Sequence, residues 1–434
     1  MPCSRASSSE RSGDSTPHGR SSCILRPVQS ITRGATTLRR TTAGAIAVAA
    51  IVVLVIALAA TSVFGTPTPS ASPPTGQAAT PSPSAATASP SESPTSPTPV
   101  ASPTASALPE PTPEPTPTTV PAPLTGRLVS PTAAARHPIA VMIDDLWAAR
   151  PQSGLSSASV VWHAPAEAGI PRYMAIFQEE LPKAIGPVRS SRFYYIAWAA
   201  EWRAIYAHAG GSPQAIDTLR QKGSGQYVYN VDEFRYSGTF GRISTRFSPH
   251  NLYTTGKKLR NTGERIGAKD KTYAPKWQFA PDAPIEERPY GGTISVSYPY
   301  NKVLYTYDRD TNTYRRSVTG EKKQKDAVDG TRIAPKNVIV MRMAFGPLND
   351  GHPEKHRLEA DVVGSGRAWI STNGRTIKGT WKKAGIKRPT RFYDRNGNEV
   401  TLTIGQTFIQ VLTTSTTGYP ATFKAGSDLP PATP

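Results

Sequence analysis

The chain has 434 residues, with 50 Lys and Arg against 31 Asp and Glu, and a formal net charge of +19. Its two cysteines, Cys3 and Cys23, precede the long apolar run, which excludes disulfides, thiol catalysis and Cys-ligated zinc from the region beyond it. The positive charge suits anionic partners such as phosphate-rich wall polymers, although a charge that only aids solubility would give the same composition.

An apolar segment near the N-terminus predicts a membrane anchor. Residues 41–65 contain an uncharged run of about 20 apolar residues, the length that spans a hydrocarbon core. Residues 1–40 are rich in arginine, so the positive-inside rule places this tail in the cytoplasm and the rest of the chain outside it. We predict an uncleaved, single-pass signal-anchor in the cell membrane. A signal peptide cleaved near Ala57 and Ala59 is the alternative, but the apolar run is longer than a usual signal core.

A proline-rich segment follows the predicted anchor. Residues 66–125 consist almost entirely of Pro, Ser, Thr and Ala and contain no aromatic residue. Such a composition cannot bury enough apolar surface to offset the entropy lost on ordering. We therefore predict a disordered, extended stalk that carries the rest of the chain away from the membrane.

Residues 126–285 alternate between apolar strands and helices, which predicts an α/β domain with a mixed sheet. The apolar run from Pro138 to Asp144 indicates a buried strand, and Ser212 followed by Pro213 is a typical helix start. The remaining predicted strands cover 160–163, 172–177 and 204–208, and the predicted helices cover 190–203, 212–222 and 252–265.

Residues 286–412 contain many short strands, which predicts a mainly antiparallel β domain. Asn373-Gly374 and Asn396-Gly397 are typical hairpin turns. Residues 413–434 are polar and end in proline, so we predict a flexible tail. The predicted strands cover 293–298, 303–307, 337–343, 358–363, 368–371, 376–381, 390–393, 400–403 and 406–412.

Short motifs in both domains resemble those of one family. In the first domain they lie at 138–155, 167–172, 185–192, 208–215 and 249–253. In the second they are Tyr307-Asp308, Asp350–His352, Val363–Gly366, Gly379–Lys383, Arg391–Asp394 and Gly405-Gln406. Taken in order, they resemble the YerB-like lipoprotein family, whose N- and C-terminal domains have no known function. The resemblance implies an extracytoplasmic, membrane-attached protein with an α/β N-terminal domain and a smaller C-terminal domain.

The chain departs from the family pattern in four places. Asp145 stands where the family usually has Asn, Ala168 where it has Gly, and Pro171 where it has Thr. The predicted helix anchor replaces a lipidated cysteine. The first three changes fall within the motifs that carry the resemblance, so the resemblance carries no site over in detail.

Acidic residues and a histidine stand at the ends of predicted strands. Asp144 and Asp145 end the first strand, Glu167 follows the second, and His208 ends a later one. If these strands are parallel, the groups converge at the carboxyl edge of the sheet. There Asp144, Glu167 and His208 are candidates for acid–base catalysis or for holding a metal. In the alternative interpretation the acids pair with nearby arginines, namely Arg150, Arg172, Arg189 and Arg192.

Two stretches are candidate anion sites. The segment Arg189-Ser190-Ser191-Arg192 opens a predicted helix, where free backbone N–H groups and guanidinium groups could hold an anion or be paired with Glu167. Ser212 ends a glycine turn that could contact phosphate or only cap a helix. The turn lacks the P-loop and nucleophile-elbow patterns, so a serine hydrolase is not expected.

The other histidines give weaker indications. His250 and Asn251 are further candidate ligand-binding residues, together with Arg150 and Arg172. His352 and His356 lie near Asp350 in a charged loop interrupted by a proline, for which a solvated surface is the simpler interpretation. The sequence predicts no metal site and no cofactor.

These observations support three hypotheses about function. The first is a cell-envelope module that binds an anionic wall polymer or glycan, without nucleic acid as a partner. The second is a hydrolase or transferase acting on an envelope polymer, with Asp144, Glu167 and His208 as its acid–base set. The third is a structural partner in an envelope protein complex, whose protein partners the sequence does not identify.

Overall fold

The computed structural model describes residues 118–429, so the predicted tail at 1–40, the anchor at 41–65 and most of the stalk lie outside these residues. The predicted stalk ends too late, because Val120–Pro121 forms a strand and Leu124 is buried in the core. Among residues 118–429, no helix is long and apolar enough to cross a membrane. The membrane anchor therefore stays a prediction from the sequence.

Fourteen strands between residues 118 and 429 form two large sheets. In chain order they are Ile139–Asp144 (β1), Val160–Pro165 (β2), Pro171–Phe177 (β3), Ile205–His208 (β4), Tyr229–Asp232 (β5), Thr293–Tyr298 (β6), Asn301–Asp308 (β7), Thr313–Val318 (β8), Asn337–Met343 (β9), Gly364–Thr372 (β10), Arg375–Lys383 (β11), Arg391–Tyr393 (β12), Thr407–Thr413 (β13) and Ala421–Lys424 (β14).

The helices are few and short. The α-helices of the described residues are Pro131–Ala135 (α1), Phe193–Ala199 (α2), Pro213–Arg220 (α3) and Gly256–Arg265 (α4). Single 3₁₀ turns cover Trp147–Ala149, Gly223–Gly225, Ser237–Thr239, Ile285–Glu287 and Pro353–Lys355. Four further short strand pairs join Val120–Pro121 to Leu128–Val129, Gly241–Arg242 to Leu252–Tyr253, Phe279–Ala280 to Leu402–Thr403, and Phe345–Pro347 to Leu358–Ala360.

The larger sheet has ten strands in the order β12-β11-β10-β9-β13-β2-β3-β1-β4-β5, and the smaller has four in the order β8-β7-β6-β14. Strands β9, β13 and β2 run parallel to one another, as do β1, β4 and β5, while β3 is antiparallel to both of its neighbours. The ten-stranded sheet takes strands from both sides of residue 285, the predicted domain boundary. The described chain is therefore a mixed, sheet-rich fold with few helices.

Separate hydrophobic cores cover the two faces of the ten-stranded sheet. On one face, Ala140 and Met142 of β1 pack in a cluster with α2 and α3, where Trp162 stacks on Trp198 with ring centroids 4.4 Å apart. On the other face, Val141 and Ile143 join a cluster with the four-stranded sheet and α4. Because both faces are covered, β1 is apolar throughout and not alternating.

Helix α2 is shorter than the helix predicted at 190–203, because residues 189–191 are extended. The backbone N–H of Arg189 donates to the carbonyl oxygen of Met142 at 3.0 Å, and that of Ser191 donates to Gly210 at 2.8 Å. The extended segment is thus hydrogen-bonded both to the last part of β1 and to the turn that follows β4. The helix predicted at 252–265 likewise starts later, at Gly256, where the Thr255 side chain caps it.

The segment predicted as a flexible tail contains a strand. Strand β14 pairs antiparallel with β6 at the edge of the four-stranded sheet. Phe423 of this strand stacks on Trp369, with centroids 5.4 Å apart and ring planes 19° apart. The prediction of a flexible tail was wrong here because Phe423 packs against Trp369, a residue far away in the sequence. Such a contact leaves no pattern in the residues around Phe423.

Candidate functional site

The candidate acids meet at one edge of the ten-stranded sheet. Strands β1 and β4 are parallel, and β2 runs in the same direction with antiparallel β3 between β1 and β2. Asp144 ends β1, Glu167 follows β2, and His208 ends β4. Arg172, at the start of β3, lies directly opposite Asp144. We call this edge, with the loops that follow its strands, the rim.

Asp144 is held by three groups and is almost fully buried, with 2% of its surface exposed. Its Oδ2 atom lies 2.7 Å from Nδ1 of His250 and 3.2 Å from Nε of Arg189. Its Oδ1 atom accepts the backbone N–H of Leu146 at 3.0 Å. His250 thus belongs to the rim although it lies far away in the sequence, and the Asp144 carboxylate is already occupied.

Glu167 is clamped by two arginines. The guanidinium groups of Arg172 and Arg192 each donate to one of its carboxylate oxygens. Burial alone would raise the pKa of Glu167, but the charges of Arg172 and Arg192 outweigh it, so its pKa is lowered. A carboxylate that is ionised and paired in this way is poorly suited to act as a general acid.

His208 shares the edge but not the contacts of the two acids. Its side chain is fully buried, with Nδ1 2.8 Å from the carbonyl oxygen of Gly210 and Nε2 2.8 Å from Oδ1 of Asn230. The carboxylate of Asp232 lies 3.9 Å from Nδ1. Both ring nitrogens are therefore engaged, and the structure does not bring Asp144, Glu167 and His208 together as a contacting set.

The predicted anion site at Arg189–Arg192 has a different form. Helix α2 starts only after Arg192, and no side chain caps it. The carbonyl oxygen of Ser190 accepts a hydrogen bond from Arg172 at 2.8 Å, and the hydroxyl of Ser191 bonds Tyr206. The arginines of this segment are paired with Asp144 and Glu167, while the side chain of Arg189 keeps 23% of its surface exposed.

The other candidates have structural contacts. Ser212 caps α3 by accepting the N–H of Ala215 at 3.4 Å. Asn251 accepts a hydrogen bond from Arg242 at 3.0 Å. The exposed loop with His352 holds an Arg357–Asp350 pair at 2.6 Å. Among residues 118–429, no group of His, Cys, Asp and Glu is placed to hold a metal ion.

Asp145 lies beside the rim in a buried polar network that the sequence does not reveal. Its carboxylate accepts hydrogen bonds from Tyr173 at 2.8 Å and Asn301 at 2.5 Å, contacts Nε2 of His163 at 2.9 Å, and pairs with Arg150 at 3.1 Å. Burial opposes ionisation, but the hydrogen bond from His163 and the nearby positive charges lower the pKa of Asp145 to about 2. The network links the two sheets and is closed to solvent.

Three aromatic side chains at the rim are open to solvent. Trp147, Phe234 and Phe247 are 78%, 79% and 92% exposed. Trp147 follows Asp144 by three residues, Phe234 contacts the Gly210 turn, and the carbonyl oxygen of Phe247 accepts the N–H of His250. The sequence gives one hint, since each follows closely after a charged residue: Asp145, Glu233 and Arg246.

Comparisons with known proteins agree with the motif resemblance. Residues 124–269 match "Protein of unknown function (DUF3048) N-terminal domain" and residues 294–409 match the corresponding C-terminal domain. "Putative lipoprotein YerB" of Bacillus subtilis strain 168 is 32% identical over 269 residues, which cover 60% of this chain and 78% of YerB.

The fold also has a solved relative. The crystal structure of YerB from Bacillus subtilis is similar with a TM-score of 0.61 and 26% identity, over 70% of this chain and 99% of that one. The family resemblance is therefore confirmed by sequence and by fold. The chain belongs to the DUF3048 family, whose members include YerB.

Proposed function

We propose that the protein is a membrane-associated module of the cell envelope that binds an anionic glycan at the rim. The observation that carries this proposal is the group of exposed aromatics, Trp147, Phe234 and Phe247, beside the partly exposed Arg189. Exposed aromatic side chains that lie together at one edge of a fold can form a binding surface. Flat rings can cover the apolar faces of sugars, while a guanidinium can hold an acidic substituent.

The contacts at the rim favour binding over catalysis. Asp144 is shared between Arg189 and His250, and Glu167 is shared between Arg172 and Arg192. General acid–base catalysis needs a group that is free to exchange a proton with the substrate. A hydrolase or transferase using Asp144, Glu167 and His208 would first have to break these pairs.

The relative's lipoprotein name supports attachment to a membrane. For this chain we propose that the apolar run at 41–65 provides the attachment, with residues 1–40 in the cytoplasm. Residues 66–125 would then hold the α/β part, 126–285, and the β-rich part, 286–412, outside the membrane.

Binding of the purified full-length chain to soluble acidic polysaccharide released from isolated cell walls tests the proposal. We expect binding that weakens with salt and that neutral dextran does not reproduce. Trp147→Ala, Phe247→Ala and Arg189→Ala should each weaken it by about tenfold, the usual effect of losing about 1.4 kcal/mol at a central contact.

Matched controls lie away from the rim. Leu128→Ala removes an exposed apolar side chain, and Arg220→Ala removes an exposed arginine on α3 that also pairs with an acid. Both variants should bind like the parent. If the parent and all three rim variants bind equally well, the rim is not the binding site. If dextran binds as tightly as the acidic polysaccharide, charge does not contribute to recognition.

A further inference from the structure

The strands β10, β11 and β12 carry an unusual share of the positive charge. Residues 364–395 contain nine Lys and Arg and one acidic residue, Asp394, whereas residues 118–429 as a whole contain 43 Lys and Arg and 26 Asp and Glu. About half of the surplus positive charge of the described chain therefore lies in a tenth of its length, at one end of the ten-stranded sheet.

The cations share one face of these strands. Trp369 pairs with Lys378 and Arg367 pairs with Thr380, so these side chains and Lys382, two residues further along β11, point the same way. The opposite face is buried in the core through Ala368 and other apolar residues. Arg367, Lys378 and Lys382 are exposed. We call the outward side the β10–β12 face.

Four cations of this region have no acidic partner within the described residues. No carboxylate between residues 118 and 429 lies within 4 Å of Arg367, Lys378, Lys382 or Arg395, in contrast to the pairing of most rim arginines. Asp394 is engaged by backbone groups, since its carboxylate accepts the N–H groups of Asn396 and Asn398 at 2.9 and 2.8 Å. Asp428 and Glu399 are paired with Arg375 and Arg391 of the same strands. The β10–β12 face therefore holds uncompensated positive charge.

The face is concave and long. One hollow of about 680 Å³ is lined by Arg367, Lys378, Lys382 and Arg395, and a second of about 470 Å³ is lined by Arg375 and Phe423. Trp369 and Lys378 line both hollows, so the two are adjacent. Lys378 and Lys382 are four residues apart on a strand, which is about 13 Å, and Arg367 stands between them on β10.

We propose that the β10–β12 face binds an extended polymer with a phosphate in each short repeat, such as a phosphodiester-linked polyol or sugar chain. Cations placed along a line at intervals of about 7 Å match charges repeated along a chain, whereas a single small anion needs donors that converge. A chain in which one short unit separates successive phosphates can present its charges in this way.

The aromatic residues of the face favour such a polymer over single-stranded nucleic acid. One face of Trp369 is stacked on Phe423, and one face of Tyr393 lies under the ammonium of Lys382 at 4.7 Å. Proteins that bind single strands use rows of free aromatic rings on which bases stack. Here the rings pack within the protein, and the exposed groups are the cations.

The β10–β12 face and the rim are separate sites, so each can fail alone. The test measures the affinity of the full-length chain in detergent for labelled poly(glycerol phosphate), by fluorescence anisotropy at several salt concentrations. The variant Arg367→Ala/Lys378→Ala/Lys382→Ala should bind at least about tenfold more weakly and lower the slope of log K against log salt by about two. Arg220→Ala, which removes one exposed arginine of α3 and touches neither site, should bind this polymer like the parent.

The matched control removes equal charge elsewhere. Lys322→Ala/Lys323→Ala/Lys325→Ala changes three exposed lysines of the loop after β8 and should keep the affinity of the parent. The face is not the site if this control weakens binding as much as the face variant, or if the face variant binds like the parent. If an oligo-dT of matched charge binds more tightly than poly(glycerol phosphate) at equal salt, the face is a nucleic-acid site and the proposal is wrong.

Discussion

Nε2 of His163 lies 2.9 Å from Oδ2 of Asp145, and neither side chain is exposed to solvent. Nδ1 of the same ring lies 2.8 Å from Gln410 on β13. Asp145 also accepts a hydrogen bond from Asn301 of the four-stranded sheet. A single buried pair thus ties together the rim, the centre of the ten-stranded sheet and the sheet packed against it. Buried polar networks of this kind are costly to break.

Acidification should destabilise the protein through His163. Burial lowers the pKa of His163 below its usual 6.5, although the hydrogen bond to Asp145 opposes this shift. The unfolded chain therefore binds a proton more readily than the folded one below pH 6.5, and the free energy of unfolding should fall from pH 6.5 towards pH 5. His163→Asn should reduce this fall, measured as urea midpoints at pH 7, 6 and 5. His352→Asn, on the exposed loop, should show the same fall as the parent. A urea midpoint of the parent that is the same at pH 7, 6 and 5 would contradict the prediction.

Replacing Asp145 by Asn should destabilise this chain. One carboxylate oxygen would become an NH2 group and would face donors, either Tyr173 and Arg150 at Oδ1 or Asn301 at Oδ2. We expect a loss of about 3 kcal/mol at pH 7 in urea unfolding. Because the folded pKa is lowered to about 2 from 3.8, the carboxylate stabilises fully above pH about 4 and progressively less as the pH falls through 2.

The difference in the free energy of unfolding between the parent and Asp145→Asn should accordingly become smaller as the pH falls. Asp217→Asn is the matched control, since Asp217 is exposed and pairs only with Arg220 on α3. It should change the free energy of unfolding by less than about 0.5 kcal/mol. A similarly small effect of Asp145→Asn would show that the network tolerates an amide.

Ala168→Gly should stabilise the protein. Ala168 has a φ of +49°, in the left-handed region that disfavours residues with a Cβ atom. Removing this strain should outweigh the added entropy of the unfolded chain and raise the free energy of unfolding by up to about 1 kcal/mol. Ala327→Gly, at an exposed position with ordinary φ, should lower it by a similar amount. If both variants change the free energy of unfolding in the same direction, Ala168 is not strained by its positive φ.

Phe423→Ala should loosen the C-terminal strand. The ring stacks on Trp369, and aromatic pairs of this kind contribute about 1 kcal/mol beyond the area they bury. We expect a stability loss of about 1–2 kcal/mol and faster proteolysis after residue 413, measured by urea unfolding and by mass spectrometry of the fragments. Thr422→Ala, on the exposed side of the same strand, should do neither. Unchanged cleavage of Phe423→Ala would mean that β14 is held by its backbone alone.

Local patterns in the sequence predict many of the elements. The apolar run at 337–343 has the same bounds as β9, the Asn373-Gly374 dipeptide joins β10 to β11 with both residues at positive φ, and Ser212-Pro213 starts α3. In each case the signal lies within a few neighbouring residues. The motifs were also sufficient to identify the family.

Long-range pairing could not be predicted in the same way. Gln410 reaches His163, and His250 reaches Asp144, across more than 100 residues of sequence. A strand's pattern shows which face it buries but not which strand lies beside it. The sequence therefore identifies the candidate acids, but it does not show that arginines pair with them. It also does not show that the largest uncompensated charge lies in the β-rich half.

Strand β13 is synthesised near the end of the chain, yet it occupies the middle of the ten-stranded sheet between β9 and β2. Until residues 407–413 are available, β2 and β9 each present an open edge, and the apolar residues that β13 covers stay in water. Strands made about 250 residues earlier must therefore wait for it. The sheet can therefore be completed only late, and a chain delivered from its N-terminus becomes a finished fold only once most of its last tenth has emerged.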